Sequence, residues 1–151
     1  MAWSTSAVFA FSVLQVGRNA VKYSTDSYNV ALYASNTMTP DRTVSTAVLT
    51  EYAGSGSQWV TGNEVSSTNY VAGGASVTSP TWTQASNVLT FTSAGTPTWS
   101  NVSFTTYGCL VYDTTASNQG LSFNYFGGQQ TVTSGTFTVT WNASGIATFT
   151  T

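Results

Sequence analysis

Only eight of the 151 residues carry a charge, three basic (Arg18, Lys22, Arg42) and five acidic (Asp26, Asp41, Glu51, Glu64, Asp113), and histidine is absent. A folded chain this poor in charge must build its wetted surface from something else, and Ser and Thr, about a third of the residues, supply it. That choice constrains the fold. Threonine's branched Cβ packs well on a pleated sheet and weakens helices, so a chain rich in Thr, Val, Tyr and Phe is expected to be mainly β. The 41% hydrophobic and 14% aromatic content is enough to pack a core. The length suits one domain, expected over residues 1–151, with 1–27 forming either an N-terminal arm or a first hairpin.

The same scarcity excludes functions. Nucleic-acid binding draws its affinity from Lys and Arg on phosphates, and three cations are too few. Every catalytic scheme that needs imidazole is excluded, and the plentiful Ser and Thr hydroxyls have no base beyond Lys22 to activate them. The acids show no spacing that would pair them for glycoside hydrolysis, so Asp41 is read as a cap and Asp113 as a turn residue. No thiolate, imidazole or calcium-loop spacing suggests a metal, and no catalytic residue or cofactor is expected. Cys109, in the apolar run 109–112, reads as a buried, inert thiol. The apolar run 7–16 is too short to span a bilayer and lacks the positive flank and cleavage site of a secretion signal.

Along the chain, residues 7–16 fit a helix and a strand equally well. Residues 28–34 read as a strand buried on both faces. Val44, Ala47, Val48 and Glu51 share a helical face, and with Asp41 or Thr43 at the start and Gly54 at the end they predict a helix. A long loop follows over 63–74, with Trp59 and Tyr70 as its anchors because each buries a large ring while keeping a polar handle. Short strands are then expected over 75–78, 82–83, 88–92, 101–106, 110–112, 121–126, 135–141 and 146–150. Residues 136–141 alternate strictly, and the turn at 142–145 predicts a hairpin between the last two strands. The expected architecture is a single β-sandwich or barrel with one or two short helices. Most of the five Trp and eight Tyr are assigned to its core, although exposed rings could instead stack on sugars. Sheet edges without lysines to guard them predict self-association.

The string Asn63-Glu64-Val65-Ser66-Ser67-Thr68-Asn69-Tyr70-Val71-Ala72-Gly73-Gly74 resembles the NEVsGtgYtaGG pattern of small tailed-bacteriophage virion proteins. Further pieces agree in collinear order: 30–32 before 39–41, Trp99-Ser100, 111–114, 126–128 and 135–146. The chain departs from the pattern at Ser67 and Asn69, where glycines are usual; Asn tolerates a left-handed backbone and Ser does so poorly. The resemblance implies a capsid decoration (cement) protein located in the virion, without catalytic residues, partnered by the major capsid protein and by its own copies as a dimer or trimer. It also admits a minor tail or host-recognition component that binds carbohydrate. Under the first implication, the contact residues are expected in the loop (Trp59, Asn63, Glu64, Tyr70, Gly73, Gly74) and in the N-terminal arm (Trp3, Phe9).

Overall fold

The computed structural model describes residues 3–150. They form a mainly β, two-sheet domain with two short helices, as the composition predicts. The larger sheet has the order β1 (Ala7–Val8), β7 (Gln119–Thr138), β6 (Thr98–Asp113), β2 (Tyr28–Tyr33) and β3 (Ala75–Ser76); the smaller has β4 (Pro80–Ala85), β5 (Val88–Ser93) and β8 (Ala147–Thr150). All neighbouring strands are antiparallel.

The period-2 geometry of β2 explains why its sequence is apolar throughout. Val30 and Leu32 point to one face and join Cys109, Val111, Leu121, Phe91 and Ala147, where the small sheet packs on the large one. Ala31 and Tyr33 point to the other face and join Leu110, Tyr112 and Phe123 beneath Trp3, Phe9, Met38 and Trp59. The large sheet is therefore covered twice, by strands on one side and by the N-terminal segment and long connections on the other. Residues 3–9 belong to this cover, with Trp3 and Phe9 buried in it and β1 paired with β7, whereas Tyr23 packs on the small sheet.

Four expectations change. Residues 7–16 are both things in turn, with β1 ending at Val8 and α1 (Ala10–Gly17) following. The helix expected from Asp41 shrinks to α2 (Ala47–Thr50), because the Asp41 carboxylate caps a tight turn by accepting both the N–H and the hydroxyl of Thr43 at 2.8 and 2.7 Å. Thr46 then stays extended, with φ −118° and ψ 137°.

The strands expected at 101–106 and 110–112 are one strand, β6, and those at 121–126 and at the start of 135–141 are one strand, β7. Gly127 and Gly128, with φ +80° and +146°, do not end a strand here; they let β7 carry extra residues between Tyr125 and Gln130, which oppose Gly108 and Thr106 of β6. Finally, among the described residues no C-terminal hairpin forms: β7 pairs with β6 through Thr138, β8 pairs with β5, and 142–145 closes on itself through the Asn142 to Gly145 bridge. The alternation in 136–141 is nevertheless real, with Phe137, Val139 and Trp141 shielded and the threonines between them exposed.

Candidate functional site

Residues 63–74 converge on one buried carboxylate. A single bridge from Glu64 to Tyr33 carries the chain past the end of β2, and Val65 N–H bonds to Leu32 C=O at 2.9 Å. This brings Glu64, only 5% exposed, under its own loop. Its Oε1 accepts the Tyr70 hydroxyl at 2.7 Å and the Gly73 N–H at 2.8 Å, and its Oε2 accepts the Tyr52 hydroxyl at 2.9 Å. Tyr70 in turn accepts the Leu32 N–H at 2.8 Å, so one ring ties the loop to both the carboxylate and β2. The Gly73 carbonyl accepts the Tyr112 hydroxyl at 2.8 Å.

Gly74, at φ +74°, lies so close to β2 that an added Cβ would sit 1.7 Å from the Val30 carbonyl oxygen. Burial, with Glu64 nearby, holds the Tyr52 and Tyr70 hydroxyls far above the ordinary phenol range, so both remain donors. Every polar atom of this knot is spent on holding the loop.

The residues expected to make outside contacts are thus inside. Trp3, Phe9 and Trp59 are at most 2% exposed and meet edge to face, with Trp59 centred 5.7 Å from Trp3 and 5.9 Å from Phe9. Tyr70 and Gly73 are buried with Glu64. Asn63 is half-buried, its amide bound to the Gln58 carbonyl at 2.9 Å, and Gly74 is half-buried against β2. The correction has a simple cause: large aromatic side chains in a chain with few Leu and Ile are needed for the core. The loop's outward positions are Ser66, Thr68, Asn69, Val71 and Ala72, and Val71 is 73% exposed.

The two departures from the phage pattern are both accommodated. Asn69 takes the left-handed conformation, φ +66°, and its amide bonds to the Asn101 carbonyl at 3.0 Å. Ser67 avoids that conformation, and its hydroxyl accepts the Ser103 N–H at 3.3 Å, covering the outer edge of β6.

One surface feature escaped the sequence reading. Between α1 and the small sheet lies a groove of about 540 Å³ lined by Val13, Val16, Tyr23, Trp82, Leu89 and Phe149. Tyr23 stacks on Trp82 at 4.3 Å with their planes 4° apart. Val13, Leu14 and Val16 of α1 are exposed at 36–47%. The signal was present in the apolar run 7–16, which carries more apolar residues than one buried helical face can use.

Cys109 is fully buried, and burial pushes its thiol up to about 12, which matches the inert reading. Among the described residues no three of Cys, Asp and Glu gather as metal ligands, and no helix is long and apolar enough to cross a membrane. Comparison with protein-family models, with curated proteins and with solved structures returns no match.

Proposed function

We propose that this chain is a bacteriophage virion protein, a capsid decoration (cement) protein that binds the outer surface of the head and stabilises the shell by bridging capsid subunits. The observation that carries the reading is the use made of the residues that bear the phage resemblance. Glu64, Tyr70, Gly73 and Gly74 fix a loop and leave outward the uncharged side chains of Ser66, Thr68, Asn69, Val71 and Ala72. A protein that acts by lying against a larger surface needs a rigid loop with an uncharged face, because its affinity comes from burying apolar and hydroxyl area. With a net charge of −2, many copies can crowd on one particle with little mutual repulsion. The major capsid protein and sister copies are the partners in this reading, and many modest contacts sum to shell stability.

Particles stripped of the protein should rupture at lower temperature or weaker osmotic shock than complete ones, and adding it back should restore them. Equal fragility would remove the cementing role. A second reading, a tail component that recognises host carbohydrate, is favoured by the open apolar groove that Tyr23, Trp82, Leu89 and Phe149 line.

A further inference from the structure

We infer that Asp26 and Asp113 form a proton-sharing clasp that pins the connection between α1 and β2 to the end of β6, and that deprotonation loosens this connection and the groove wall it forms. The inference does not depend on the virion reading. Asp113 closes β6 and is 1% exposed. Its Oδ1 accepts the N–H groups of Thr115 and Ala116 at 2.8 and 2.9 Å, the geometry of a turn cap. Its Oδ2 is buried and has no donor. The acid beside it is Asp26: with Tyr28 opposite Asp113, and Ser27 bonded to Thr114 and Thr115, Asp26 lies diagonally across the strand pair on the face of Asp113.

Two ionised carboxylates have no hydrogen to place between them and repel, so this arrangement is favourable only while Asp113 is protonated. Asp26 is itself held in place, accepting the Lys22 N–H at 2.5 Å through Oδ2 in a tight turn.

The groups around the pair do not relieve it. Tyr28, the register partner of Asp113 on β2, has a buried hydroxyl without a partner, and the Tyr23 hydroxyl is shared with Ser12 of α1 at 3.0 Å. Gln119, opposite Asp113 on β7, is neutral, and its amide is bound to Thr50. Burial first, and then Asp26, pushes the Asp113 carboxyl up to about 6.

The clasp holds more than itself. Ser27 N–H bonds to Thr115 Oγ1 at 3.0 Å, and Thr114 bonds to the Ser27 carbonyl through its N–H and its hydroxyl at 2.8 and 3.0 Å. The pinned segment also carries Val21, Lys22, Tyr23 and Ser24, one wall of the apolar groove.

The sign follows from linkage. An acid with a raised folded-state value favours the protonated native state, so its contribution is full below about pH 4 and is lost as pH rises through about 6. The folding constant should fall by up to about a hundredfold across that window. The test follows the Asp113 Cγ resonance of the full chain from acid to neutral pH, together with denaturant stability and amide exchange at Ser27 and Thr114. The expected result is a midpoint near 6, stability falling over the same range, and exchange at these two amides accelerating relative to Leu32. In Asp26→Asn, whose amide can donate to Oδ2 at any pH, the midpoint should drop and the stability profile should flatten. A wild-type midpoint in the ordinary carboxylate range, or an unchanged profile in Asp26→Asn, would overturn the clasp.

Discussion

Two carboxyl groups are buried in this nearly uncharged chain, and they are treated in opposite ways. Glu64 sits among three donors, Tyr70 and Gly73 of its own loop and Tyr52 from outside it, and both of its oxygens are used. Asp113 has donors at one oxygen only, its other oxygen has none, and a second acid, Asp26, lies beside it and helps push its carboxyl up. Both are equally hidden from water, so burial alone does not decide what a buried acid does; the supply of donors does. Glu64 is a fastener with both oxygens taken by donors, whereas Asp113 is a joint with one oxygen left open.

The sharpest way to break this contrast is at the backbone that brings the Glu64 loop in. Gly74→Ala would drive a Cβ into the Val30 carbonyl, forcing β2 to move, and should cost about 4 kcal/mol or more, with failure to fold as the extreme. Urea denaturation of the variant, or its absence from the soluble fraction, reads this out. Next comes Glu64→Gln, which replaces one acceptor with a donor facing other donors and should cost about 2 kcal/mol. Asp113→Asn is its counterpart. It keeps the Oδ1 acceptor for the turn and gives Asp26 a donor, so at neutral pH it should be neutral or stabilising. If both amide substitutions cost the same, the distinction between fastener and joint fails. Tyr70→Phe, which orphans the Leu32 N–H and one Glu64 bond, should cost about 1 to 2 kcal/mol, measurable by the same denaturation. The smallest stability effect belongs to Val71→Asp, expected within about 0.5 kcal/mol because the side chain is on the surface. On the proposed function, this change should nevertheless weaken attachment to particles, as a sedimentation assay with stripped heads would report.

The mainly β class was legible because Thr and aromatic content act everywhere at once, and β2 was legible because a strand covered on both faces must be apolar at every position. The buried anchors Trp59 and Tyr70 followed from the same logic. Element boundaries were harder wherever glycine has two uses. Gly127 and Gly128 follow the strand expected to stop at residue 126, yet here they permit a bulge inside a strand of 20 residues. The helix expected over 41–54 failed because a local bond, Asp41 to Thr43, competes with the first helical turn. For the loop, the sequence pointed to the right residues and the wrong direction. Glu64 and Tyr70 matter, but by facing inward, and nothing in one sequence says which way a loop side chain turns. The pairing of Asp26 with Asp113 was invisible for a related reason, since 87 positions separate them and only the register of β2 on β6 brings them together.

On the proposed function, the knotted loop serves attachment to a shell. Counting this protein against the major capsid protein in purified virions puts that proposal to the test. The expected result is a copy number that scales with the capsid subunits and a position on the outer face of the head. A handful of copies confined to the tail, or none in the particle, would contradict it.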